Sequence, residues 1–398
     1  MSALPSRFTF FYLLASSLFL ASTTGAIAAA APGAAASHVF SKIYAFGDSF
    51  TDTGNTNDST GPFAFVHASD PPYGATFFRR PTNRYSDGRL VVDFLAAALA
   101  LPFLPPYLDP AGADFSNGAN FAVAGATAID YGFFVRNNVS LDVTPQSLAT
   151  QLGWFERHLQ KEAAAAARGC RGGRGASSAG CGGVNLADAL FWVGEIGVND
   201  FAYTVGSVLS PDYVGDLAVD NVARFLEALL QRGAKYMVVQ GQPLAGCLPL
   251  TMSLVAADDR DDLGCSAVVN RRSAAYNALL QERLRDLRRR HPGAVISYAD
   301  YAAAHRAVMR NPAAYGFSEP FRACCGSGGG PLNFDVFATC GSPAASRACG
   351  QPGRFVNWDG VHLTEAMYRV LADMFFRRGY TRPPFAALLD SRRRSRRG

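Results

Sequence analysis

Charge is scarce in this chain: Asp, Glu, Lys and Arg supply 17% of its 398 residues, against about 25% in an average globular domain. With 49% apolar residues, the composition excludes a disordered chain, which is rich in charge and poor in aromatics. No heptad and no Gly-X-Y repeat is present, so coiled coil and collagen are excluded too. No Cys-x-x-Cys or His-x3–5-His spacing occurs, which sets a zinc site aside. Past the N-terminus no apolar run approaches the ~20 residues of a membrane span. A Pro- or Ser-rich linker is missing as well, so nothing divides the chain into separate domains.

What charge there is lies unevenly. The net charge is +5, and the last seven residues hold five arginines, Arg392, Arg393, Arg394, Arg396 and Arg397; without them the rest is neutral. A nucleic-acid-binding domain spreads its cations over a face. Here they form a tail, and residues 386–398 read as a solvated, disordered end, with adhesion to an acidic polymer or membrane surface as the alternative.

The N-terminus carries Arg7, a mostly apolar run from Phe8 to Leu20, and small residues around Ala26-Ile27-Ala28. This layout predicts a secretory signal peptide over residues 1–28, with an uncleaved signal-anchor as the alternative. Eight cysteines, an even number, fit an oxidising compartment. They fall in sequence-local groups, so Cys170 is expected to pair with Cys181 and Cys247 with Cys265. Cys324, Cys325, Cys340 and Cys349 then pair among themselves. Sequons at Asn57 and Asn138 fit a glycosylated secretory protein.

Four short apolar runs read as strands covered on both faces: Lys42–Phe46, Ala189–Val193, Tyr236–Gln240 and Ala294–Tyr298. Helical patterns separate them over Asp212–Gln231 and Ser266–Arg290, and Thr364 opens a last one running to Arg378. This alternation predicts an α/β fold with a parallel sheet between helical layers, in one domain over residues 38–385. The Ala/Gly-rich insert at 163–183 reads as a stapled surface loop.

In such sheets chemistry collects beyond the carboxyl ends of the strands. Ser49 stands three residues after the first strand, where an ordinary N-cap would also put a serine. Asp359 and His362, three apart near the C-terminus, can set a carboxylate against an imidazole, fixing its tautomer. His67 and Asp70 share that spacing, but in a loop beside no strand. Gly125 and Asn199 are candidate oxyanion donors, one through a backbone N–H and one through its amide. Each alone is equally a turn residue; together with Ser49, Asp359 and His362 they form a set.

FGDSFTDTGN (46–55), NFAVAGA (120–126), GVND (197–200) and DGVH (359–362) resemble, in order, the four sequence blocks of plant-type GDSL esterase/lipases, within the SGNH hydrolase family. The stretch from Pro71 to Phe94 also resembles this group. The resemblance implies a three-layer αβα sandwich around a mostly parallel sheet of about five strands. It implies Ser49 as nucleophile, His362 as general base and Asp359 orienting it. The oxyanion hole would be the Ser49 and Gly125 N–H groups with the Asn199 side chain. No cofactor and no metal is implied. The Gly-x-Ser-x-Gly elbow of α/β-hydrolases is absent around Ser49.

The expected partner is an ester, chiefly an acetyl group on a cell-wall polysaccharide such as xylan, acted on by a monomer in the cell wall or Golgi lumen. Lipids and specialised-metabolite esters are the alternatives. Phe77, Phe78, Tyr131, Phe133 and Phe134 flank the blocks and would line a groove or pack the core. Two other classes compete: a non-catalytic carbohydrate-binding protein on a hydrolase fold, and a phosphotransfer enzyme using Asp48 or Asp52 with Mg²⁺.

Overall fold

The computed structural model describes residues 39–58, 66–109, 112–139, 144–172 and 184–397. The expected signal peptide over residues 1–28 lies outside these residues. So does Cys181, and with it the expected Cys170–Cys181 bridge.

Eight strands occur among the described residues: β1 (Lys42–Phe46), β2 (Gly118–Asn120), β3 (Ala189–Val193), β4 (Tyr236–Gln240), β5 (Val295–Ala299), β6 (Glu319–Ala323), β7 (Phe355–Asn357) and β8 (Thr381–Arg382). Six of them form the main sheet in the order β2-β1-β3-β4-β5-β8. The first five are parallel, and β8 closes one edge antiparallel. The helices are α1 (Val91–Ala98), α2 (Tyr131–Arg136), α3 (Leu148–Gly172), α4 (Val198–Tyr203), α5 (Pro211–Gln231), α6 (Pro249–Leu254), α7 (Ala267–Arg290), α8 (Tyr301–Arg310), α9 (Glu365–Arg377) and α10 (Phe385–Ser395).

Alternation along the strands feeds two cores. Tyr44, Phe46, Phe191, Val193, Met237 and Val239 face α3, α5 and α7. Ile43, Ala45, Leu190, Trp192, Tyr236 and Val238 face α1, α8, α9 and α10. Because both faces are covered, every residue of β3 and β4 is buried, which is why these strands read as unbroken apolar runs. Helix ends follow local chemistry. Ser266 and Thr364 cap α7 and α9 by accepting from Val269 N and Met367 N.

The chain moves outward from β1 to β2, then crosses back to lay β3 on the other side of β1. That reversal makes the carboxyl ends of β1 and β3 a topological switch point, where a crevice opens in an open α/β sheet. Ser49 follows β1, and Asn199 follows β3.

The sheet of about five mostly parallel strands is present, with β8 as a sixth at its edge; β2 and β8 are too short to show a periodicity. Two expectations change. Residues 386–398 are not a disordered tail: α10 covers most of them, with Leu388 fully buried and Arg392 paired to Asp188 at 2.6 Å. The insert at 163–183 begins as helix, since α3 runs through Gly172.

A small lobe stands apart from the main sheet. β6 and β7 pair in parallel, and disulfides join Cys324 to Cys349 and Cys325 to Cys340. Cys247 is bonded to Cys265 beside α6. These three pairings agree with the grouping expected from the sequence.

Candidate active site

The turn after β1 is built by carboxylates that cap backbone. Asp48 Oδ1 accepts from Phe50 N at 3.0 Å. Fully buried Asp52 accepts from Gly54 N and Asn55 N at 2.7 Å, from Thr56 N at 3.1 Å and from Ala124 N at 3.0 Å. Asp52 thereby ties the nucleophile-type turn to the Asn120–Ala126 block. From α3, the Gln151 amide clamps Gly47 from both ends, donating to its carbonyl at 2.8 Å and accepting from its N–H at 3.0 Å.

The second half of the site hangs from β7. Trp358 N donates to His362 O at 2.7 Å, so residues 358–362 double back in a tight loop. At its tip Gly360 has φ +97°, and a Cβ there would overlap the Phe334 ring. Only glycine meets both demands. The paired cysteines brace this loop from behind, with Cys324 N on Asn357 O at 3.1 Å and Cys325 N on Trp358 O at 2.7 Å.

These two turns bring Ser49, His362 and Asp359 into line. His362 Nε2 lies 2.7 Å from Ser49 Oγ, and Nδ1 lies 2.8 Å from Asp359 Oδ2. Asp359 Oδ1 accepts from the His362 N–H at 2.7 Å and the Val361 N–H at 3.0 Å, and Tyr73 O–H donates to Oδ2 at 2.7 Å. Burial by itself would raise the Asp359 carboxyl. The charge of His362 and the hydrogen bonds from His362 and Tyr73 outweigh it and hold the group below its ordinary value. A carboxylate kept ionised against Nδ1 leaves Nε2 free to take a proton from the serine.

Gly125 has φ +74°, in a turn whose carbonyl accepts from Tyr203 O–H at 3.1 Å. Among the described residues neither the Ser49 nor the Gly125 N–H donates to a backbone carbonyl. The Asn199 amide is engaged: its two hydrogens point to Asp48 Oδ2 at 3.0 Å and Ala126 O at 3.1 Å. Its neighbour Asp200 accepts from Ala128 N and Ile129 N, each at 2.9 Å, and burial pushes its carboxyl up to about 7. Asp200 thus pins α4 to the loop that carries Gly125.

Two carboxyl groups meet beneath the site. Fully buried Glu195 accepts from Val198 N at 3.3 Å through Oε1, while no donor serves Oε2 among the described residues. Burial raises both Glu195 and Asp48, and Glu195, holding its proton more strongly, donates to Asp48. Asp48 is the same carboxylate that receives Asn199.

Sequence reading overlooked Tyr73, Gln151 and Glu195, because each reaches the site from a separate element. Glu195 lies two residues before the GVND block, and its place just after β3 was its available signal. His67 and Asp70 lie 3.8 Å from each other at a short 3-10 turn; His67 lines a cavity that His362 also lines, but it is His362 that bonds Ser49. The flanking aromatics have other partners: Phe133 and Phe134 belong to the core, and Phe77 stacks under Arg89. Asn57 and Asn138 are exposed.

Known proteins resemble this chain over most of its length. The sequence model described as GDSL-like Lipase/Acylhydrolase matches residues 43–375. A GDSL esterase/lipase of Arabidopsis thaliana is 54% identical over 357 residues, covering 88% of this chain and 89% of that protein. Acetylajmalan esterase 2 of Rauvolfia serpentina is 39% identical, with 83% and 88% covered, and acetylajmalan esterase 1 of the same plant is 38% identical, with 84% and 85% covered.

Proposed function

The chain belongs to the GDSL-like lipase/acylhydrolase family and is a carboxylic ester hydrolase, and from that premise we propose that Ser49 is its nucleophile, His362 its general base and Asp359 the group that orients His362. The observation that carries this reading is the unbroken chain of hydrogen bonds from Asp359 through His362 to Ser49.

Ser49 Oγ attacks the ester carbonyl carbon while its proton passes to His362 Nε2. The oxygen that becomes negative is received by the Ser49 and Gly125 N–H groups and by Asn199, which exchanges one of its resting acceptors for the oxyanion. Collapse breaks the bond to the alcohol, which leaves with the proton from His362. Water then attacks the acyl-serine with His362 again as base, releasing the acid and restoring Ser49.

The acyl group is short, acetyl first. The acetylajmalan esterases, whose names specify an acetyl ester, support this. The alcohol is either a cell-wall polysaccharide such as xylan or a specialised metabolite. A secretory route to the wall or Golgi lumen, with glycosylation at Asn57 and Asn138, fits the N-terminal signal pattern and the three disulfides.

The test is acetate release from acetylated xylan and from small acetate esters by wild type and Ser49→Ala at equal protein. Loss of release in a variant with unchanged circular dichroism is expected. Full turnover by Ser49→Ala would remove Ser49 from the mechanism, and failure of wild type to react with a fluorophosphonate would favour a binding protein.

A further inference from the structure

Beside His362 lies a cavity of about 160 Å³. Its exposed lining is mostly apolar, from Leu250, Phe334, Val336 and Val361 with Tyr73 and Tyr85, while His67 and Thr339 add polar groups beside Asp359 and His362. These walls are anchored. Leu250 N donates to Gly360 O at 2.9 Å, joining α6 to the loop of Asp359 and His362. Phe334 rests on Gly360, and the segment that holds Phe334 and Val336 is closed by the Cys325–Cys340 bond. The space is therefore preformed rather than left between mobile parts.

Its side of the site is informative. His362, Asp359 and Val361 line it, whereas Ser49, Gly125 and Asn199 do not. An ester bound for attack turns its carbonyl oxygen to the oxyanion donors and its leaving oxygen to the base that must protonate it. The cavity on the imidazole side thus receives what is attached to the leaving oxygen.

We propose that this cavity seats the alcohol part of the ester and that Leu250, Phe334 and Val336 select a compact, largely apolar ring alcohol. The inference rests on the serine esterase reading and names the substrate class for it. Size supports a single ring: a dry protein cavity of about 150 Å³ is known to hold benzene. Chemistry supports an apolar one. A sugar residue would bring several hydroxyl groups against walls that offer few partners, and a hydroxyl buried unpaired is unfavourable. An O-acetylated specialised metabolite meets these conditions better than a xylan chain does.

The experiment compares kcat/KM across two ester series. One holds acetate and varies the alcohol: ethyl, cyclohexyl and benzyl acetate, then acetylated xylan. The other holds ethanol and varies the acid: ethyl acetate, butyrate and hexanoate. Val336 is 48% exposed, so Val336→Trp narrows the cavity without disturbing a core; Leu250→Ala, which widens it, serves as the second variant.

Wild type is expected to prefer the ring acetates over ethyl acetate by about tenfold or more, the scale of discrimination in an apolar pocket. Val336→Trp should erase that ratio, and both variants should keep the acid-series ratios of wild type. Equal rates on ring and ethyl acetates, xylan as the best acetate, or a Val336→Trp effect on the acid series instead would overturn the proposal. Turnover of no ester by wild type, or undiminished turnover by Ser49→Ala, would instead overturn the esterase reading beneath it.

Discussion

Asp48 precedes the serine in sequence, yet its side chain serves the other half of the site. It receives Asn199 from above and the Glu195 proton from below. Glu195 is buried with its proton, so the folded chain holds a proton that the unfolded chain releases above about pH 4.5. Its contribution to stability is present in full below that pH and declines as pH rises toward the raised folded value. Glu195→Gln keeps a donor toward Asp48 and an acceptor for Val198 without any proton to lose. The melting temperature of Glu195→Gln minus that of wild type should therefore be near zero at pH 4 and grow positive toward pH 8. Thermal melts across that range check it, and a flat or falling difference would contradict the shared proton. At this scale Ser49, Asp359 and His362 were legible because each pair member lies within a few residues of a strand end or of its partner. Glu195, Gln151 and Tyr73 were not, since a side chain's service to a site 100 or more residues away leaves no local spacing.

At the scale of elements, the long strands and helices announced themselves. β1, β3 and β4 run as the apolar pattern indicates, and β5 is displaced by one residue, at Val295–Ala299. Buried parallel strands have no polar face to blur their limits. β6 carries no such signal because four of its five residues are partly or fully exposed, and β7 because it is only three residues long; the cysteines beside them help to hold them together. That lobe braces the loop of Asp359 and His362. The Cys325–Cys340 bond closes a 15-residue separation, for which constraint of the unfolded chain gives about 3 kcal/mol. Replacing both cysteines by alanine should lower stability to denaturant by roughly that amount and should reduce kcat more than the fold's circular dichroism changes. Unaltered unfolding midpoints with full turnover would show that the lobe does not brace the site.

Over the whole molecule, the basic C-terminus is where charge counting misled. Five arginines in seven residues look like a solvated end, but Phe385 and Leu388 turn inward against α9 and the β5 side of the sheet. Arg392 reaches Asp188, just before β3. Residues 385–395 are thus part of the domain, with exposed Arg393 and Arg394 on its last helix and Arg396 and Arg397 just past its end. Leu388→Ala should destabilise by about 2–5 kcal/mol, as for other fully buried leucines, whereas Arg396→Ala should change little. A differential scanning measurement in which the two behave alike would return the segment to a solvated tail.

By itself the sequence determined the layered α/β plan and the family, and it picked out the residues of the proposed acid-base set. These depend on local patterns: apolar runs, caps, and residues two or three apart in turns. Tertiary structure alone decided how the halves meet. Contacts such as Ser49 to His362, 313 residues apart, exist because the β1/β3 switch point and the disulfide-braced β7 loop converge on one crevice. The small apolar cavity beside His362 belongs to the same class of fact. Its walls come from α6, the cysteine-closed segment and the Asp359–His362 loop, and only packing sets them face to face.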